Sequence, residues 1–281
     1  MLKQRVITAL VLLAILLPAL FYPAPQPFIL MTLVFIAAGC WEWVRMNGGG
    51  ALSAWLAGLG SALLCAVFWR AGLLQQPLPL LWLCTGGAWV LLGGWVLRCG
   101  VGAWAGHTKT LRLALGLVAL CVTWLAVAQA RLLGVNFLLS VLALVWMADI
   151  AAYFTGRAFG GRLISRKLAA SISPGKSWEG VFGGMVGVVL LAMVWRYVDA
   201  AYGVDVPSLY TRLAGRGLAF LLLACIFMAA MSVVGDLFES LVKRSAGVKD
   251  SSGLLPGHGG VLDRVDALLP ALPLAMMLVS L

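Results

Sequence analysis

The sequence predicts an all-α polytopic membrane protein of about nine transmembrane helices, with two polar cytoplasmic loops forming its site. Three observations carry that expectation. Of the 281 residues, 63% are hydrophobic and only 11% charged; a soluble fold of this length needs a charged skin, which such a balance cannot supply. Apolar runs of roughly 20 residues, enough to cross a bilayer as helix, recur along the chain. Acidic and basic residues gather mainly in the breaks between those runs.

Taken in order, the runs cover 6–22, 27–44, 51–69, 78–97, 112–129, 134–153, 180–197, 217–236 and 265–281. Each is expected to be helical because lipid offers backbone groups no outside partner. Lys3 and Arg5 precede a run too long for a signal-peptide core and without a small-x-small end, so it reads as a first membrane helix. Pro270 and Pro273 interrupt the last run, which is barely of spanning length. With a cytoplasmic N-terminus, Arg70, Arg131, Arg196, Arg212 and Arg216 fall outside and the other fifteen of the 20 Lys and Arg inside, as the positive-inside rule requires. That bias accounts for the formal charge of +10, so the partner expected is a lipid bilayer and no nucleic acid.

Residues 1–133 are expected to be scaffold, and 134–281 a catalytic membrane region whose polar loops are 154–179 and 237–264. The six cysteines (Cys40, Cys65, Cys84, Cys99, Cys121, Cys225) stand singly in or beside apolar segments, which favours packing over zinc or disulfides. Gly183 and Gly187, at G-x-x-x-G spacing, mark a close helix contact. Tyr22, Trp41, Trp43, Trp69 and Trp146 near span ends fit interfacial anchors.

Of 10 acidic residues, five lie close together near the C-terminal end: Asp236, Glu239, Asp250, Asp263 and Asp266. Ionised groups near lipid are expensive and need partners, so this density asks for a cation. Asp236, Glu239, Ser240 and Lys243 share one face if the helix continues past its apolar run, and Asp263 and Asp266 are again three apart. Between them runs a loop rich in glycine and cations, from Lys243-Arg244 through Lys249-Asp250 to His258-Gly259-Gly260, suited to close approach of phosphates. Carboxylates beside such a loop point to Mg²⁺, which takes one or two of them together with phosphate oxygens. A solvated charged loop would explain Lys243, Arg244 and Lys249 but not the carboxylates.

The stretch Ser240-Leu-Val-Lys243-Arg244, Lys249-Asp250-x-Ser252, Leu255-Pro-x-His258-Gly259-Gly260 and Asp263-Arg264-Val-Asp266 resembles the signature of phosphatidate cytidylyltransferases. Asp149, Tyr153 and Gly156-Arg157, followed by Ser173-Pro-Gly-Lys176-Ser177-Trp178-Glu179-Gly180, resemble that family's other cytoplasmic loop, with departures at Gly175 and Ser177. Trp41-Glu42-Trp43 also fits the family pattern.

The resemblance implies an enzyme of the bacterial inner membrane, with its site on the cytoplasmic side, that moves a cytidylyl group from CTP to phosphatidic acid. It implies Asp236 and Asp263 as Mg²⁺ ligands, helped by Asp250 and Asp266, and Lys243, Arg244, Lys249 and Arg264 as phosphate clamps. His258 would donate to the leaving pyrophosphate or hold the loop. Ser240, Gly259, Gly260, Asp149, Tyr153, Arg157, Ser173, Lys176, Trp178 and Glu179 would contact substrate, and the family implies a homodimer. Arg157, Arg162, Arg166, Lys167 and Lys176 would draw in the lipid head group or touch anionic lipid.

Gly175-Lys176-Ser177 is no P-loop, since Ala170 stands where the earlier glycine belongs. Ser240-x-x-Lys243 lacks the partner motifs of penicillin-binding proteins. Two other functions are weighed: a CTP-dependent polyprenol or lipid kinase, which would make CDP and a lipid phosphate, and an ion-coupled transporter. The latter would spread its acids through several spans near the midplane, whereas these cluster at span ends.

Overall fold

Segments with no water to satisfy their backbone must satisfy it internally, and the runs fold as helices throughout. A computed structural model describes residues 2–281, except for the side chains of Leu2, Val96, Leu97 and Cys99; the packing expected of Cys99 therefore lies outside the described residues. The helices are α1 (Leu2–Phe21), α2 (Gln26–Met46), α3 (Ala51–Arg70), α4 (Pro79–Gly106), α5 (Lys109–Leu133), α6 (Val135–Phe159), α7 (Trp178–Tyr202), α8 (Leu209–Ala214), α9 (Leu218–Ser245), α10 (Leu262–Val265) and α11 (Leu268–Ser280).

Among the described residues, seven helices are long and apolar enough to cross a membrane: α1, α2, α3, α5, α6, α7 and α9. α4 is broken at Gly100, whose φ of 66° and ψ of −171° are not helical, and makes an eighth if its two parts count as one span. The expected count of about nine therefore falls to seven or eight. The difference lies partly in the last run: α11 has only 13 residues, roughly 20 Å of helix against a hydrocarbon thickness of about 30 Å. α9, by contrast, is 28 residues long, extends past its apolar part and carries Lys243 and Arg244 in its last turn, favourable for cations at a helix C-terminus.

The chain forms two compact units. The first comprises residues up to Gln76, Val101–Val135 and Val242–Asp266. In it α2 packs on α3 and α5. Trp43 of α2 is buried rather than interfacial. Its indole Nε1 donates to the Arg112 carbonyl at 2.9 Å, and its ring meets Trp104 edge-on, centroids 5.8 Å apart. Gly116 of α5 makes room for that indole, because a Cβ there would stand 1.8 Å from Trp43 Cε2. Gly116→Ala is therefore expected to destabilise the protein by about 1–3 kcal/mol through overpacking, read as a lowered thermal unfolding midpoint in detergent.

The second unit comprises Pro77–Gly100, Asn136–Leu241 and Ala267–Leu281. Here α7 lies against α6 along its small residues: a Cβ on Gly183 would be 2.0 Å from Thr155 Oγ1, and one on Gly187 would be 2.6 Å from Ala151 Cβ. The G-x-x-x-G spacing is thus a packing surface. Asp199 closes the far end of α7 by accepting from Asn136 Nδ2 (2.9 Å), Ser208 N (3.0 Å) and Thr211 Oγ1 (2.6 Å). Cys40, Cys65, Cys121 and Cys225 are buried and unbridged, and Cys84 is exposed and unbridged.

Candidate active site

In the second unit, α6, the loop before α7 and the polar end of α9 enclose a pocket of about 500 Å³. Asp149, Tyr153 and Arg157 line it from successive turns of α6, at i, i+4 and i+8, and Lys176 and Asp236 complete its polar wall. Lys176 Nζ lies 2.6 Å from Asp236 Oδ2, and Ser240 Oγ donates to Asp236 Oδ1 at 3.2 Å. Arg157 donates to the Tyr153 hydroxyl at 3.0 Å. Lys176 and Asp236 are each about a quarter to a third exposed, so this pair adds only about 0–1 kcal/mol to stability. Its arrangement suits charged ligands better than it serves the fold.

Three residues expected at substrate have these places in and beside the loop. Glu179 is buried, and its Oε1 accepts from the backbone N–H groups of Gly161 (3.1 Å), Leu163 (3.1 Å) and Ile164 (2.9 Å). One carboxylate oxygen thus gathers the turn that follows α6. Ser173 N donates to the Ala169 carbonyl at 2.8 Å, and its own carbonyl accepts from Lys176 N at 3.2 Å, building the turn that presents Lys176. The Trp178 ring tilts against Phe182, centroids 6.3 Å apart. Ser177, where the sequence departs from the family pattern, caps α7 by accepting from Gly180 N and lines the pocket.

In the first unit, the loop between α9 and α10 folds around two carboxylates. Asp263 Oδ2 accepts from Ser251 N (2.9 Å), Ser251 Oγ (2.8 Å) and Gly260 N (2.7 Å), while Lys243 Nζ donates to Oδ1 at 2.6 Å. Burial pushes the Asp263 carboxyl up, but the Lys243 ammonium and the donors from Gly260 and Ser251 outweigh it and hold the group at about 2. Beside it stands Glu42 of α2, fully buried. Glu42 Oε1 accepts from Ser252 Oγ (2.5 Å) and Val261 N (2.9 Å), and Oε2 from Leu262 N (2.8 Å) and Ser251 Oγ (3.3 Å).

Glycine is required here by the carboxylates themselves. A Cβ on Gly260 would lie 2.1 Å from Ser251 Oγ and 2.3 Å from Glu42 Oε1. Gly259 adopts φ of 81°, in the left-handed region, and Leu255 N donates to its carbonyl at 2.8 Å. The loop is also tied to α1, where Thr8 Oγ1 donates to the Pro256 carbonyl at 2.8 Å. Arg244, Lys249, Asp250 and Arg264 are exposed, whereas His258 and Asp266 are half-buried and Glu239 is buried. His258 Nδ1 is buried without a hydrogen-bond partner among the described residues.

Glu42 is the residue whose place the sequence understated. Its signal was a lone acid between two tryptophans in an apolar run, a costly position that calls for a partner. For a metal, no group of three or more His, Cys, Asp or Glu among the described residues could hold one unaided. Mg²⁺ would need only one or two carboxylates, with water and phosphate oxygens filling its shell. The carboxylate oxygens of Asp236 and Asp263 are hard donors of the right kind, and each faces an ammonium at 2.6 Å.

The family model for the cytidylyltransferase family matches residues 3–281. A phosphatidate cytidylyltransferase of Pseudomonas aeruginosa is 39% identical over 278 residues, covering 97% of this chain and 95% of its own. One of Haemophilus influenzae is 37% identical over 298 aligned positions, covering 97% and 96%. One of Brucella suis is 46% identical over 138 residues, 49% of this chain and 44% of its own. Together with the helical bundle, these likenesses define a membrane-spanning nucleotidyltransferase. The chain belongs to the cytidylyltransferase family.

Proposed function

We propose that the enzyme transfers the cytidylyl group of CTP to phosphatidic acid, giving CDP-diacylglycerol and pyrophosphate, with Mg²⁺ as its metal. The observation that carries this reading is the likeness over 97% of the chain to two phosphatidate cytidylyltransferases. The geometry supports it: a pocket lined by Asp149, Asp236, Lys176 and Arg157 offers oxygen ligands for a hard cation and cations for phosphates. The setting proposed is a bacterial inner membrane, with the site facing the cytoplasm and the protein forming a homodimer.

A phosphate oxygen of phosphatidic acid attacks the α-phosphorus of CTP, the bond to the β-phosphate oxygen breaks, and pyrophosphate leaves. The attacking group is already an anion, so no covalent enzyme intermediate is needed and positioning with charge neutralisation carries the step. Asp236 and Asp263 would each offer a carboxylate to Mg²⁺, with Asp250 and Asp266 assisting; when bound, the ion supplies charge neutralisation at nucleotide phosphates. Lys176 and Arg157 orient phosphate in the pocket. Lys243, with the exposed Arg244, Lys249 and Arg264, clamps phosphate oxygens, the arginines by two-point contact. His258, buried at Nδ1, donates to the leaving pyrophosphate.

The test is product identity. Purified protein in nanodiscs is supplied with phosphatidic acid, Mg²⁺ and either CTP or ATP, and both the released phosphates and the lipid are followed. Pyrophosphate and a CDP-lipid are expected with CTP and neither with ATP. CDP with a phosphorylated lipid would make the enzyme a kinase and overturn the reading.

A further inference from the structure

The first unit holds a second polar cavity, of about 610 Å³, that none of the roles above uses. That volume lies in the range of small-molecule sites. Trp41, Arg45, Arg112, Ser251 and Ser252 are among the residues that line it, and no carboxylate is. Two of these side chains hold unused donors: the Arg112 guanidinium Nε and the Trp41 indole Nε1 are both buried without a hydrogen-bond partner among the described residues. A buried donor left unmade costs roughly 1–3 kcal/mol, so two on residues of one cavity wall, beside a second guanidinium, describe a place that lacks an acceptor. An anion supplies it.

We infer that this cavity binds a phosphate-bearing anion, held by Arg112, Arg45 and the Trp41 N–H. A phosphate has oxygen acceptors on several sides, and guanidinium groups meet it with paired N–H donors. Its source is either a free diphosphate, as in a nucleotide or pyrophosphate, or the head group of an anionic lipid, which span-end arginines attract. The wall nearest the signature loop gives the cavity a consequence. Ser251 and Ser252 line it while donating to Asp263 and Glu42, so an occupant braces the same turn that cradles Asp263. Occupancy is therefore expected to slow amide hydrogen exchange across residues 251–262.

The test is equilibrium binding without turnover, so its outcome is independent of the proposed reaction. Full-length protein in phosphatidylcholine nanodiscs, with EDTA present and CTP absent, is titrated with inorganic pyrophosphate and, separately, with dioctanoyl phosphatidate. Arg112→Gln and Arg45→Gln are each expected to weaken at least one probe about tenfold, the loss of one charge-assisted contact. Trp41→Phe is expected to weaken the same probe about tenfold, that of one hydrogen bond to a charged acceptor. Trp41→Phe keeps an aromatic ring against Trp55 while removing the N–H, so probe affinity read beside the probe-free melting temperature separates the lost contact from lost packing. Arg70→Gln serves as the control and binds as the parent does. Loss confined to pyrophosphate assigns the free diphosphate, loss confined to phosphatidate the lipid head group, and loss of both a phosphate read without its substituent. Binding of both probes within twofold of the parent in all three cavity variants overturns the inference.

Discussion

Asp263→Asn is expected to abolish CTP-dependent turnover, by at least about two to three orders of magnitude, and to loosen the loop that surrounds it. The two effects have separate causes. The neutral amide is a poor ligand for Mg²⁺ and no counter-charge for Lys243. It also carries one acceptor where the carboxylate has two, and Oδ2 alone takes three donors while Oδ1 takes the Lys243 ammonium at 2.6 Å. Whichever way the amide turns, its NH₂ meets donors, leaving at least one buried group unpaired at about 1–3 kcal/mol. Asp236→Asn separates the causes. Asp236 is bonded only to Ser240 and the part-exposed Lys176 among the contacts described, so the same chemistry is lost with little change in thermal unfolding. Turnover within tenfold of the parent in Asp236→Asn would remove it from the metal site, and an unaltered melting curve in Asp263→Asn would remove the structural half of its role.

Glu42→Ala is expected to have the largest effect on stability, about 3–5 kcal/mol, the range for stripping one partner from a buried charged contact. The substitution orphans the N–H groups of Val261 and Leu262 and the Ser252 hydroxyl, and it removes one of two acceptors from Ser251. Those costs do not add fully because the loop relaxes. Its opening would still scatter the donors that hold Asp263, so activity should fall with stability. Glu42→Gln preserves volume but places an NH₂ among donors, and should fall between parent and alanine. Hydrogen exchange across residues 251–262, compared with exchange in α6, locates the damage. Equal protection in parent and Glu42→Ala would show that the loop does not depend on this carboxylate.

How much of this was legible in the sequence depends on the range of each interaction. Helix was readable because lipid leaves no alternative, and the continuation of α9 through Asp236, Ser240 and Lys243 followed from their i, i+4, i+7 spacing. The span count was less so. Hydropathy cannot see that Gly100 breaks α4 or that α11 starts only at Leu268. The pairing of Glu42 with Val261 and Leu262 joins residues about 220 apart in the chain, and one sequence holds no signal for such a contact. Glu179 shows the same limit at shorter range. The likeness to the family's second loop suggested substrate, and that likeness could not show that one Glu179 oxygen takes three N–H groups of its own loop. Lys176 and Asp236 were each singled out on chemical grounds, yet only the fold places them 2.6 Å apart.

The two lysine–carboxylate contacts, Lys176 with Asp236 and Lys243 with Asp263, amount to a built-in latch. Each carboxylate rests as half of a neutral pair, which spares the membrane edge an uncompensated charge. Asp236 Oδ2 and Asp263 Oδ1 lose these contacts only when the ammonium swings aside, and an ammonium that has swung aside is a mobile cation in search of an anion. Phosphate is such an anion. A chain carrying methionine at both lysine positions would leave both acids without a counter-charge and the site without two of its phosphate-holding cations, so turnover is expected to fall far more than stability.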